Sequence, residues 1–132
     1  MGTVMRLLLD TCTFIWLCND PGKLSKPAVA ALEKKSSERN LSLASVWEIV
    51  LKHRTGKIPL PDVPRKWIEE QAEIQDIHFP ELNRGVLYRS GELSGDHRDP
   101  FDRILAAESL VHGLTILSPD ALFRRLGCEV IW

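Results

Sequence analysis

Cysteine is scarce in this chain and its placing carries no pattern. Cys12, Cys18 and Cys128 are odd in number and widely spaced, which excludes a disulfide framework and a cysteine-based metal site. Cys12 and Cys18 lie among apolar residues and read as small buried thiols, at home in a reducing cytoplasm. No apolar stretch approaches the roughly 20 residues needed to span a bilayer. The run that ends at Leu9 is too short for a signal peptide and reads instead as a buried strand. The net charge of −1 lacks the basic excess of a typical nucleic-acid binder. Positive charge is gathered locally instead, at Lys52, His53, Arg54 and Lys57 and again at Arg124 and Arg125; the plain reading of such clusters is a solvated face.

What is present is the balance of an ordinary globular domain. Apolar residues make up 44% and charged residues 27% of 132 positions, which fits one domain spanning 1–132 with a core of its own. Strand and helix patterns alternate. Met5–Leu9 is a continuous apolar run of the kind buried on both faces of a parallel sheet. Helical patterns follow at 12–17, 26–36, 45–54, 63–73, 82–93, 99–112 and 119–126, and strand patterns at 41–44, 74–79, 114–117 and 129–132. The alternation predicts an α/β fold with a parallel sheet between two layers of helices.

Acids recur where strands hand over to helices. Each has a plain reading as a cap. Asp10 caps the first helix, Ser45-Val46-Trp47-Glu48 has the spacing of a capping box, Asp99 precedes a proline at the first helical position, and Asp120 follows Ser118-Pro119 where a helix dipole favours negative charge. Together they say more. In a parallel sheet all crossover helices start at the carboxyl edge, where open α/β sheets bind ligands. Asp10, Glu48, Asp102 and Asp120 all fall there. Glu48 sits in a nearly all-apolar run, Val46 to Leu51, with Lys52 as its ordinary helical ion-pair partner. Carboxylates crowded at one edge repel unless a cation neutralises them, and an oxygen-only set points to Mg²⁺ or Mn²⁺. Such ions commonly act on phosphates.

Four segments, Leu7-Leu8-Leu9-Asp10-Thr11, Ser45-Val46-Trp47-Glu48-Ile49, Arg98-Asp99-Pro100-Phe101-Asp102-Arg103 and Ser118-Pro119-Asp120 with Phe123, resemble the PIN-domain ribonucleases, and within them the VapC-type toxins of bacterial toxin–antitoxin pairs. The resemblance runs from Met5 to Trp132 and implies a three-layer α/β/α sandwich that cuts RNA with Mg²⁺ or Mn²⁺. Carried over by position, it makes Asp10, Glu48, Asp102 and Asp120 the catalytic and metal-holding acids. Asp99, Ser45, Thr11 and Arg103 are its supporting residues, and Arg103 or the Lys52-to-Lys57 cluster is expected to meet the RNA backbone. It further implies a homodimer, a cognate antitoxin and a cytoplasmic location. Trp16, Trp47 and Trp67 are expected mainly in the core, with some free to line the groove. Cys12 stands where the family commonly has a small polar residue or His, and Ser118 where Thr is commoner.

Other readings stay in view. A haloacid-dehalogenase-type phosphatase needs a second Asp two residues after the first, where this chain has Cys12; a receiver domain needs an acidic pair, but Thr11 follows Asp10. A non-catalytic RNA- or protein-binding module and a metal-dependent DNA nuclease both remain compatible with the residues.

Overall fold

The structure is a computed structural model that describes residues 4–95 and 99–132; Arg98 of the motif above lies outside the described residues. Five parallel strands form one sheet in the order β3-β2-β1-β4-β5. They are β1 (Met5–Leu9), β2 (Ser37–Leu41), β3 (Ile77–His78), β4 (Thr115–Leu117) and β5 (Val130–Ile131). The α-helices are α1 (Thr11–Asn19), α2 (Lys26–Glu33), α3 (Leu43–Arg54), α4 (Pro64–Ile74), α5 (Arg84–Glu92), α6 (Pro100–His112) and α7 (Leu122–Arg125), with a 3₁₀ turn at Pro21–Lys23. No helix among the described residues is long and apolar enough to cross a membrane.

β1 shows why the sheet is sandwiched. Side chains of a strand alternate between faces, and all three of Leu7, Leu8 and Leu9 are fully buried. Leu7 and Leu9 pack with Phe14, Leu32, Ile49, Trp67 and Ile68, from α1 to α4. Leu8 packs on the other side with Val86, Leu105, Ala106 and Phe123, from α5, α6 and α7. Leu9 pairs with Leu41 on one side and Leu117 on the other. The residues that follow, Asp10, Ser42 and Ser118, therefore leave the sheet abreast, at the point where strand order reverses about β1.

Two sequence expectations move. The second strand is 37–41, not 41–44. Its polar side chains hid it from a reading of apolar runs: Arg39 is satisfied by the Gln75 side chain and the carbonyls of Gln75 and Leu32, and Asn40 donates to the Leu7 carbonyl. Consequently Ser42 is the N-cap of α3, accepting from Ala44 N–H, and Ser45 is the third helical residue rather than the cap of a capping box. The helix drawn at 119–126 shortens to α7, so Asp120 precedes it and holds its first turn from outside, accepting from Leu122 N–H at 2.9 Å. Asp10 and Asp99 do cap α1 and α6: Asp10 accepts from Thr13 N–H, and Asp99 from Phe101 and Asp102 N–H.

Candidate active site

A cleft of about 570 Å³ opens at the carboxyl edge of the sheet, and Asp10, Glu48, Asp102, Asp120 and Asp99 all line it. They arrive from four separate places: the ends of β1 and β4, α3 and the start of α6. Thr11, Cys12, Lys52 and Lys57 complete most of the polar wall.

Asp10 is the most constrained of the acids. One carboxylate oxygen accepts from Thr13 N–H at 2.8 Å, the other from the Ser118 hydroxyl at 2.6 Å. Ser118 Oγ in turn accepts from Asp120 N–H at 3.0 Å, so β4 and its following loop hold the orientation of the β1 acid. Burial pushes the Asp10 carboxyl up from its ordinary value; the Ser118 and Thr13 bonds oppose this, and the nearby charge of Asp120 adds to it. Glu48, largely buried, accepts from Thr11 Oγ1 at 2.5 Å on one oxygen and pairs with the Lys52 ammonium on the other. That bond to Glu48 raises the Lys52 ammonium above its ordinary value, with desolvation opposing it.

The donors in the cleft are carboxylate oxygens, the kind a hard divalent cation takes. The raised Asp10 carboxyl marks a cost that such a cation would relieve. Yet among the described residues no three acidic, His or Cys groups form a set able to hold an ion. The acids share one cleft without closing on one point; the fit lies in donor chemistry and common placement.

Three residues have settings other than those expected. Ser45 is buried in α3, and its hydroxyl has no partner among the described residues. Arg103, one of the two basic groups expected at the RNA backbone, donates to the carbonyls of Ser90 at 3.0 Å and Leu93 at 2.6 Å. It ties the end of α5 to α6, because carbonyls freed at a helix terminus need donors. Cys12, expected to be buried, is exposed at the cleft, its thiol pushed up first by partial burial and then by the charges of Asp10 and Glu48. The tryptophans divide: Trp67 is core against Phe14, Trp16 packs on Trp132, and Trp47 is 55% exposed against Phe101. None of the three lines the cleft.

Sequence reasoning missed Ser42, the cap of α3, and read Ser118 as a motif position without its bond to Asp10. Their signal was positional: each directly follows the last paired residue of a strand flanking β1.

The sequence pattern described as PIN domain matches residues 7–127. Three solved structures share the fold at low identity. VapBC-1 from nontypeable Haemophilus influenzae has a TM-score of 0.68 at 15% identity, with 96% of each chain covered. VapBC2 from Rickettsia felis, bound to a DNA fragment from the promoter, has 0.69 at 14%, covering 96% of this chain and 97% of that one. FitAcB from Neisseria gonorrhoeae has 0.57 at 20%, covering 94% and 95%. No curated protein sequence matches the chain.

Proposed function

The chain belongs to the PIN-domain family, and from that premise we propose that it is a metal-dependent endoribonuclease, the toxin of a type II toxin–antitoxin pair. The observation behind this reading is that four acids from separate segments line one cleft beside the sheet's switch point. Asp10, Asp102 and Asp120 would hold Mg²⁺ or Mn²⁺, and Glu48 either joins them or holds the attacking water. The bound ion supplies charge neutralisation at the phosphate and a lowered water pKa.

The chain's own groups do the rest. Ser118 and Thr13 orient Asp10. Thr11 fixes one Glu48 oxygen and Lys52 the other. A water directed by Glu48 attacks phosphorus in line and loses a proton to solvent, the P–O3′ bond breaks, and the 3′ oxygen takes a proton from solvent and leaves as a hydroxyl. Lys57, which lines the same cleft, meets the RNA backbone, so binding weakens as salt rises. The reading carries a cytoplasmic location, a homodimer and a cognate antitoxin with it; the likeness in fold to VapBC and FitAcB is what favours the antitoxin.

The test is cleavage of structured and single-stranded RNA, with a DNA control, in Mn²⁺, Mg²⁺ or EDTA. Wild type should cut RNA only with a divalent ion, and Asp10→Asn should lose ~10²-fold or more. Full activity in EDTA, or in a folded Asp10→Asn protein, would overturn the metal mechanism. Cleavage confined to DNA would replace the substrate. Separate elution from the product of the adjacent small gene on size exclusion would count against the antitoxin pairing.

A further inference from the structure

A second buried glutamate lies outside the cleft. Glu108, in the middle of α6, is fully buried among Leu105, Ala106, Ala107 and Ser109. Burying a carboxyl group is costly unless its oxygens are partnered. One Glu108 oxygen accepts from the Ser42 hydroxyl, and the other has no partner among the described residues. Ser42 is also the cap of α3, its Oγ accepting from Ala44 N–H at 3.0 Å. A single hydroxyl thus starts α3 and fastens it to α6. α3 carries Glu48 into the cleft and α6 carries Asp102.

We propose that Glu108 is a positioning residue for the acid cleft: through Ser42 it fixes the start of α3 against α6, and so sets Glu48 relative to Asp102. An apolar side chain would fill this site at least as favourably. A carboxyl group adds a directional bond, which pins the two helices in one register. The activity arm of this inference rests on the nuclease reading; the structural arm does not.

The tie depends on the proton. Burial raises the Glu108 carboxyl from 4.5 to about 7, with the Ser42 bond opposing the rise. On α6 the neighbouring titratable group is His112, one turn on, whose Nε2 has no partner among the described residues. The segments against α6 bring Glu48, Lys52, His53 and Arg54 from α3, Arg84, Tyr88, Arg89 and Glu92 from α5, the Cys128 thiol on the Ala106 carbonyl, and Arg6 on the His112 carbonyl. Burial is the larger influence on the Glu108 carboxyl, and the Ser42 bond opposes it. Above neutrality the group becomes an anion with one hydroxyl donor. Its relief is water, admitted by loosening α3 from α6.

Trp47 reports that loosening, since it neighbours Glu48 on α3 and meets Phe101 of α6 edge-to-face with centroids 5.3 Å apart. The experiment is ¹⁹F NMR of the full chain labelled with 5-fluorotryptophan, the Trp47 signal assigned with Trp47→Phe. It should titrate near pH 7 in wild type and lose that step in Glu108→Gln. In parallel, kcat of wild type should fall roughly tenfold from pH 6 to 8.5 while that of Glu108→Gln stays flat, with KM steady in both. Ser42→Gly is the second variant, because glycine caps a helix within a few tenths of a kcal/mol of serine yet cannot hold Glu108. Its kcat at pH 6 should fall several-fold with KM unchanged. An identical Trp47 titration in wild type and Glu108→Gln overturns the proposal, as does a folded Ser42→Gly with wild-type kcat. Absence of RNA cleavage together with a Glu108-dependent Trp47 step would sink the nuclease reading and leave the positioning role standing.

Discussion

Glu48 and Glu108 are both buried glutamates, on two helices that pack against each other. Their surroundings differ in charge, access to solvent and bonding. Glu48 has a hydroxyl from Thr11 and an ammonium from Lys52, and it lines an open cleft. Glu108 has a hydroxyl from Ser42 and, among the described residues, no cation and no partner for its second oxygen. The same side chain in the same two-helix unit is therefore equipped for opposite tasks. Beside a cation and solvent, a carboxylate can stay charged and act on a ligand. Walled in with one donor, it is most stable as the neutral acid and serves to hold helices in register.

Exchanging each for glutamine should break the symmetry of the pair most sharply in activity. Glu48→Gln keeps the shape and removes the charge from the cleft, and should lower RNA cleavage by ~10²-fold or more. Glu108→Gln should leave cleavage at pH 6 within about twofold, since the acid already behaves as a neutral group there. Single-turnover cleavage of one RNA by both variants decides this. Equal losses would mean that the two glutamates are not different in kind.

Stability should show the reverse contrast. A group whose folded pKa is raised supports the fold fully below its unfolded value and loses that support as pH rises through its folded value. For Glu108 the window runs from 4.5 to about 7. Across it, wild type should lose on the order of 3 kcal/mol relative to Glu108→Gln, with no further divergence above it. Urea unfolding at pH 4, 5, 6, 7 and 8 measures the difference directly. Parallel curves for the two proteins would remove the buried neutral acid from the account.

Glu48 was legible in the sequence and Glu108 was not, though the cue was the same. A lone acid interrupts Val46 to Leu51, and another interrupts Leu105 to Val111. The first stands near a helix start, where sheet topology gives an acid something to do. The second stands mid-helix, where only its tertiary partner explains it. That partner, Ser42, was misread because β2 is polar and its end was set too late, which handed the cap to Ser45. The layered parallel fold was readable because Leu7, Leu8 and Leu9 leave a strand no exposed face. The carbonyl bonds of Arg103 were not readable either, because an arginine beside an acid motif looks the same in sequence whether it faces RNA or the carbonyls of Ser90 and Leu93.

Lys52 sharpens the comparison further, as the cation that Glu108 lacks. Its side chain is 39% exposed, so water screens much of its attraction to Glu48. Lys52→Met should therefore cost less than about 1 kcal/mol in unfolding free energy, and less still at high salt. A loss above roughly 3 kcal/mol would mean that Glu48 depends on its ion pair as a buried charge does. In that case the two glutamates would both be structural.

The smallest expected effect belongs to Asp99, which combines the two roles. It caps α6 through Phe101 and Asp102 N–H, and it lines the cleft, where its charge also acts on Lys52. Asparagine keeps the acceptor oxygen that the cap needs and discards the charge. Asp99→Asn should therefore change stability by only a few tenths of a kcal/mol, whereas Asp99→Ala should cost about 1 kcal/mol through the lost cap. If capping is its whole contribution, Asp99→Asn should cleave RNA at close to the wild-type rate, and only the alanine variant should melt earlier. A thermal melt and a cleavage assay on both variants separate the outcomes. A stable Asp99→Asn protein with a loss as large as that of Asp10→Asn would move Asp99 from the scaffold of the cleft into its chemistry. It would also show that an acid can cap a helix and serve the site with the same carboxylate, as Asp10 is placed to do.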